Sequence, residues 1–484
     1  MRASPTLIAV AAGDGIGPEI LAATLHLLRE TGAALEIREV EIGEKAYLRG
    51  EPTGIGPAAW ETICHSAAFL KAPVTTPQGG GFKSLNVTVR TTLGLYANVR
   101  HCMAYHPFVE TKHPGMDLVI IRENEEDLYM GLEYRQTPHT YEALKVMTHA
   151  GCERIIRYAF EYARLHQRKK VTCLTKDNIL KFTDGLFHRV FEEVGQEYPL
   201  LEKEHWIVDI GAAKLADTPT AFDVVVLPNL YGDILSDVAA QIAGSVGLAG
   251  SANIGTSGAM FEAIHGSAPR RAGKNIANPS GLILAAVHML VHIGQLEAAA
   301  RLHNAWLKTL EEGIHTYDIF REGKSRHKVG TQEFAHAVAA RLGQTPLYLP
   351  PACYPSTPSH APIHRSLDSA ASATKTLVGI DLFVQWETSL DALLLQLSLP
   401  EACPLQLDAI YNRGVAVWPH RHPNTLCSDS WRCRFLAKES QPSLCYSQLL
   451  SLMQMLTERK LDITQTHSLF LFDDRPGFTL TAGG

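Results

Sequence analysis

Phe222-Asp-Val-Val-Val-Leu-Pro-Asn-Leu-Tyr-Gly-Asp-Ile-Leu-Ser-Asp237 decides the architecture, because it joins two kinds of structure within sixteen residues. Val224 to Leu227 is a short, unbroken apolar run of the kind a sheet buries, and Pro228 ends it. The following NLYGDILSD reads as a helix, with Asp233 and Asp237 one turn apart on one face. Outward from this unit the order recurs. TLIAV, DLVII and KKVTCL are further short apolar runs, and PEILAATLHLLRET and CERIIRYAFEYARLHQ carry helical patterns. Alternating strands and helices predict a layered α/β protein with a largely parallel sheet, extending to about Gly343.

The two aspartates are hard oxygen ligands for a divalent cation, and Asp209 in IVDIG offers a third. Such a set favours Mg²⁺ or Mn²⁺ over zinc. The plainer alternative is a helix-capping Asp233 with Asp237 merely exposed. Upstream, VTTPQGGGFKSLNVTVRTTLGLYANVRH begins with the glycines 79 to 81, carries Ser84 and Asn86, and ends with Arg90 and Arg100. Arginine presents paired donors that match a carboxylate. Alone, the segment also reads as a solvated loop. Arg122 and Tyr129 in DLVIIRENEEDLYMG follow a buried strand, where α/β enzymes place ligands, and Lys176 follows another in VTCLTKDNILKF. A packed aromatic and a surface lysine are the alternatives; a Tyr–Lys pair beside a metal can also serve as acid and base. Cation ligands and anion receptors together describe a site for a chelating polycarboxylate.

The segment NIGTSGAMFEAIHGSAPRRAGKNIANPS reads as a loop before a helix, with Arg270 and Arg271 able to hold a phosphate. The early GDGIGPE lacks the third spacing of a dinucleotide fingerprint and reads as a turn, with Pro18 suiting a helix start. His288 and His292 share a face of LILAAVHMLVHIG without a nearby glutamate, so packing is expected there rather than metal.

Across 484 residues, 46% are apolar and 19% charged, enough for two or three domains with a sizeable core. A net charge of −6 supplies no basic field, which argues against nucleic acid and for small anions. Nine cysteines occur without a C-x-x-C pair and are expected to be reduced, as in a cytoplasm, with no disulfides. No leader pattern and no membrane-length apolar run is evident, so no membrane partner is expected.

Between Gln344 and Thr374 the prolines 346, 350, 351, 355, 358 and 362 interrupt any element, which predicts a linker over 344–374. Beyond it, TLVGIDLFV, SLDALLLQLSL, LQLDAIYN, GVAVWP joined to WRCRFLA, LCYSQLLSLMQMLTERK and HSLFLFD give the order βαββαβ, an α+β ferredoxin-like domain over 375–484. Asn412-Arg413-Gly414 is the expected turn.

Taken together, SLNVTVR, YANVR, IRENEEDLY, KDNILKF, NLYGDILSD, ANIG, FEAIHGSAP and NPS, in this order between residues 6 and 343, resemble the isocitrate dehydrogenase branch of the β-decarboxylating dehydrogenases. The resemblance implies a two-lobed isocitrate/isopropylmalate dehydrogenase-like fold that is not Rossmann. Residues 1–95 and 244–343 form the cofactor-binding large lobe, and 96–243 the small lobe with a dimer clasp and the metal site. It implies a homodimer with shared active sites, and a C-terminal extension for oligomerisation, with Phe383, Leu393, Leu397 and Leu452 supplying apolar surface for a core or a contact. By it, Arg90, Arg100 and Arg122 grip the α- and β-carboxylates of isocitrate while Ser84 and Asn86 meet the γ-carboxylate. Tyr129 and Lys176 form the proton-transfer pair, and Asp209 joins Asp233 and Asp237 at Mg²⁺ or Mn²⁺, Lys176 and Asp209 coming from the neighbouring subunit.

Lys71, Thr75 and Thr76 are implied beside the nicotinamide, and His265, Gly266, Asn278, Arg270, Arg271, Tyr317 and Arg321 around the remainder of NADP. NAD-dependent relatives tend to carry an acidic and an aliphatic residue at 270 and 271; NADP-dependent ones usually carry Lys and Tyr, so Arg-Arg is a departure. The implied activity is NADP-dependent oxidative decarboxylation of isocitrate in the tricarboxylic acid cycle. The alternatives are 3-isopropylmalate, homoisocitrate or tartrate as substrate, or a non-catalytic regulatory subunit. Polar Ser84 and Asn86 oppose an isopropyl group, and intact Tyr129, Lys176, Asp209, Asp233 and Asp237 oppose loss of catalysis.

Overall fold

The computed structural model describes residues 4–76, 84–354, 373–420, 424–441 and 443–480. The glycine triplet at 79 to 81 lies outside them, as does most of the expected linker. The chain divides into two compact units, Met1–Met130 with Lys145–His364, and Gly131–Leu144 with Arg365–Gly484.

The first unit is built on one ten-stranded sheet in the order Leu35–Glu39, Thr6–Ala11, Ala68–Lys71, Ala259–Ala263, Gly250–Ile254, Ala97–Met103, Asp117–Glu123, Val224–Leu227, Lys170–Thr175, Glu202–Ile207. Two parallel wings flank a centre in which Gly250–Ile254 runs antiparallel to both neighbours and Ala97–Met103 antiparallel to Asp117–Glu123. The sheet is therefore mixed rather than largely parallel. Ala259–Ala263, within a segment that reads locally as loop, is the strand completing this centre. Its five residues are all buried, and a buried central strand needs no alternating pattern to announce it.

The GDGIGPE turn leads into the helix Gly17–Glu30 with Pro18 in its first turn. Gly13 holds φ at +60°, and a side chain there would lie 2.1 Å from the Pro73 carbonyl oxygen. Helix Ser280–His292 is apolar almost all round and lies against Gly250–Ile254 and Ala259–Ala263. Residues 344–354, expected in a linker, pack on this unit instead. Leu349 is buried, Asn304 Oδ1 accepts from the Ala352 amide at 2.7 Å, and His303 Nδ1 lies 2.7 Å from the Tyr354 hydroxyl.

The second unit contains the strands Lys375–Gln385, Leu405–Asn412, Ser430–Ala437 and Asp462–Phe472 with helices Leu390–Leu397 and Tyr446–Glu458, the βαββαβ order of a ferredoxin-like fold. Leu405–Asn412 and Asp462–Phe472 flank the central pair in an antiparallel sheet. Val415–Trp418 is a separate edge strand, not continuous with Ser430–Ala437. The turn before it places Arg413 and Gly414 at φ +51° and +77°. Leu393, Leu397 and Leu452 are buried in this unit's core and Phe383 is half-buried. The hairpin of Glu133–Arg135 and Tyr141–Ala143, expected in the small lobe, belongs to this unit. Asp429 Oδ1 accepts from Thr140 Oγ1 at 3.0 Å, and Gln465 meets Gln136. The nine cysteines are free thiols, and among the described residues no helix is long and apolar enough to cross a membrane.

Candidate active site

In the antiparallel centre, Asn98 and Arg100 alternate to the same face of their strand, and Arg122 stands opposite Asn98 on the next. Helix Asn229–Ala243 packs over these two strands and brings Asp233 and Asp237 down onto the arginines. Arg100 Nη2 lies 3.2 Å from Asp233 Oδ1 and Nη1 lies 3.1 Å from Asp237 Oδ1. Arg122 also pairs with Asp233, and its Nε and Nη2 donate to Asn229 Oδ1. The approach is close because residue 232 is glycine: a Cβ there would sit 2.6 Å from Arg122 Cγ. From the other side, helix Leu85–Thr92 presents Asn86 and Arg90 one turn apart, with Ser84 just before its start.

One cavity of about 240 Å³ collects Ser84, Asn86, Arg90, Arg100, Arg122, Tyr129, Asp233 and Asp237 on its wall. Arg90 Nε and Asn86 Oδ1 are buried there without a hydrogen-bond partner. Burial, with Arg90 and Arg100 alongside, pulls the Arg122 guanidinium down to about 9, so it stays charged at neutral pH. Burial works to raise Asp233, but Arg122 and Arg100 outweigh it and hold the carboxyl below its usual range. Burial raises Asp237, with Arg100 only partly opposing. The Tyr129 hydroxyl donates to Asp233 Oδ2; burial, opposed by Arg122 and reinforced by Asp233, pushes the phenol up to about 12. It keeps its proton.

A second cavity of about 570 Å³ shares His265 and Gly266 with the first and is lined also by Ile16, Ser245, Gly247, Arg271, Asn278, Tyr317, Asp318 and Arg321. The Arg271 guanidinium donates to the Tyr317 hydroxyl and lies 4.8 Å from the ring centre. Arg321 pairs with Glu110 at 2.7 Å. His265 Nε2 is buried without a hydrogen-bond partner where the cavities meet, and burial lowers its basicity.

The family model for isocitrate/isopropylmalate dehydrogenases matches residues 7–338. The chain belongs to this family. Residues 375–484 match the model of the bacterial isocitrate dehydrogenase C-terminal domain. The chain is 50% identical to the isocitrate dehydrogenase (NADP) of Rickettsia typhi over 481 residues, 99% of each sequence. It is 40% identical to that of Thermus thermophilus over 488 residues, covering 99% of this chain and 96% of the relative. A solved structure of a Thermus thermophilus protein, 39% identical, matches with a TM-score of 0.93 over 100% of this chain and 97% of that one.

Lys176 and Asp209 are not on the wall of the first cavity; they pair with each other at 2.8 Å. Lys71 is fully buried and pairs with Glu262 at 2.8 Å, so it supports the site from behind rather than lining either cavity. Thr75 is likewise off both walls: its amide donates to Asp14 Oδ2 at 2.8 Å and its hydroxyl meets Ser267 Oγ at 2.8 Å. Among the described residues, Thr76 Oγ1 reaches toward Ser84 Oγ, at 3.5 Å. Arg270 is exposed and absent from the wall of the second cavity, which Arg271 lines.

Sequence reasoning missed the buried polar ladder behind the arginines. Arg100 Nε donates to Asn98 Oδ1, Asn98 Nδ2 to Asn253 Oδ1, and Asn253 Nδ2 to Glu262 Oε1, at 2.7, 2.9 and 3.0 Å. Glu262 also accepts from Arg90 Nη2 at 2.9 Å; burial raises its carboxyl, but Lys71 and Arg90 win and hold it well below the ordinary range. A polar residue inside an otherwise apolar strand, as in AMFEA, was the available signal.

Proposed function

We propose that the protein catalyses the oxidative decarboxylation of isocitrate to 2-oxoglutarate and CO₂ with reduction of NADP, using Mg²⁺ or Mn²⁺. One observation carries the reading: three guanidiniums, two polar side chains, two carboxylates and a phenol meet in one small cavity. Three arginines match a tricarboxylate, each charged hydrogen bond contributing about 1.5–3 kcal/mol. Ser84 and Asn86 favour a γ-carboxylate over an apolar branch, which would leave them buried and unpaired. The names of the full-length relatives agree.

The carboxylate oxygens of Asp233 and Asp237 fit a hard divalent ion, with Asp209 of a second copy as the further ligand. When bound, that ion supplies Lewis-acid stabilisation of charge on the substrate oxygen, and NADP accepts the hydride. Arg90, Arg100 and Arg122 hold the substrate carboxylates, Arg100 and Arg122 from beside Asp233 and Asp237 and Arg90 from beside Glu262. Tyr129, protonated at neutral pH, is placed to deliver a proton to the product carbon. Lys176, away from its own chain's cavity, acts as the base in that of a second copy, so the working unit is a homodimer. Arg271, Tyr317 and Arg321 supply positive charge and donors for the 2′-phosphate of NADP, and the unpartnered His265 Nε2 awaits the cofactor. A cytoplasmic setting suits the nine free thiols.

The test is the absorbance of reduced nicotinamide with isocitrate and each cofactor, with and without EDTA. Turnover should require the metal and show higher kcat/KM with NADP than NAD. A preference for 3-isopropylmalate, or EDTA-resistant turnover, would overturn the reading.

A further inference from the structure

Among the described residues, one set of three side chains brings a potential metal ligand from each within 4.8 Å of the others: Asp177, His188 and His205. We propose that these residues form a second metal site, for a borderline-soft divalent ion such as zinc, separate from Asp233 and Asp237.

Three elements converge to make it. Asp177 follows strand Lys170–Thr175, His188 lies on helix Thr183–Gly195, and His205 lies in strand Glu202–Ile207. His188 Nδ1 is 2.7 Å and His205 Nε2 4.0 Å from the same oxygen, Asp177 Oδ2. Zinc bonds of about 2.0–2.1 Å in a tetrahedron set neighbouring ligand atoms about 3.4 Å apart, between these two spacings. Rotation of one imidazole, with small shifts of the other two side chains, closes the site and leaves one position for water.

A simple Asp177–His188 ion pair would need no second imidazole. Yet His205 lies against it: its Nε2 is 4.0 Å from the same carboxylate, and its ring, stacked on that of His188 with centres 3.6 Å apart and planes at 15°, turns out of the stack for both in-plane lone pairs to meet one ion. That nitrogen now lies 2.8 Å from Thr175 Oγ1, a contact the metal would replace. Outward from the site, Glu192 Oε1 lies 3.7 Å from His188 Nε2. The three side chains are 20%, 28% and 16% exposed, so an ion can enter from solvent. Two imidazoles with one carboxylate suit zinc better than Mg²⁺, which prefers an all-oxygen shell. A bound ion would tie the start of the loop after Lys170–Thr175 to the adjoining helix and strand.

The test uses full-length protein in excess Mg²⁺, which occupies carboxylate sites, with Zn²⁺ titrated against a chromophoric chelator and Co²⁺ as a spectroscopic substitute. One Zn²⁺ per chain should bind, Co²⁺ should give the intense visible bands of a tetrahedral site, and Zn²⁺ should raise the thermal midpoint. His188→Ala and His205→Ala should each weaken Zn²⁺ binding at least tenfold and abolish that stabilisation, while Asp233→Asn leaves both unchanged. Asp177→Asn, at a part-exposed loop position, repeats the test should a histidine variant fold poorly. Failure to retain Zn²⁺ beside excess Mg²⁺, or equal affinity in the folded ligand variants, would overturn the proposal.

Discussion

Glu262 shows how a single carboxylate on the cavity wall holds two cations in place. It is the counter-charge of the fully buried Lys71 and of Arg90. Glu262→Gln leaves Lys71 buried and uncompensated, so the unfolding free energy should fall by about 3–5 kcal/mol in urea titrations. Because the native carboxyl is depressed, its stabilisation is fully present above the unfolded value of about 4.3 and is lost as pH falls towards the native value. Wild type should accordingly lose stability more steeply than Glu262→Gln below about pH 4. Tyr129→Phe removes the proton but not the ring, and kcat should drop by about 10²–10⁴ with KM for isocitrate changed far less. A loss confined to KM would remove the proton-delivery role. In the second cavity, Arg271 lines the wall and Arg270 does not. Arg271→Ile should therefore erode the NADP over NAD ratio of kcat/KM more than Arg270→Asp does. The cavity-lining arginines and aspartates were legible in sequence because their chemistry is written in their side chains. Lys71 was not, because its partner is far away along the chain and no local pattern separates a lysine at a cofactor from one buried against a carboxylate.

At the scale of elements, helix Asn229–Ala243 carries the metal-ligating candidates, and its contact with strand Asp117–Glu123 depends on Gly232. In an ordinary helix interior Ala is favoured over Gly by about 1 kcal/mol. Here the added methyl would meet Arg122 Cγ at 2.6 Å and Cβ at 2.7 Å. Gly232→Ala should thus displace Arg122 and lower kcat/KM for isocitrate by about 100-fold, the scale of a 1 Å misplacement, with KM raised. Retained kcat/KM would show that the helix can lift without harm. The helix itself was readable from NLYGDILSD, and the turn at Arg413-Gly414 from its residue types. The strand Ala259–Ala263 was not, because five buried residues beside two glycine-containing turns look the same locally in a loop and in a sheet centre.

Across the whole molecule, residues 344–354 are part of the first unit rather than a tether. Glu311 accepts from the amides of Leu347 and Leu349 at 2.7 and 2.6 Å, and Leu349 is buried. A chain ending at Tyr354 should therefore melt several degrees above one ending at Gly343 by calorimetry; equal midpoints would mean the segment contributes nothing. The sequence alone determined the α/β class, the ferredoxin-like order of the last hundred or so residues and the chemistry of the central cavity, since strand and helix periods and ionisable side chains are local properties. Tertiary structure alone decided that the sheet centre is antiparallel, that Glu262 ties Lys71 to Arg90, and that the 131–144 hairpin groups with residues 365–484. Each depends on which distant segments exclude water together, and that is a property of the packed chain rather than of any stretch of it.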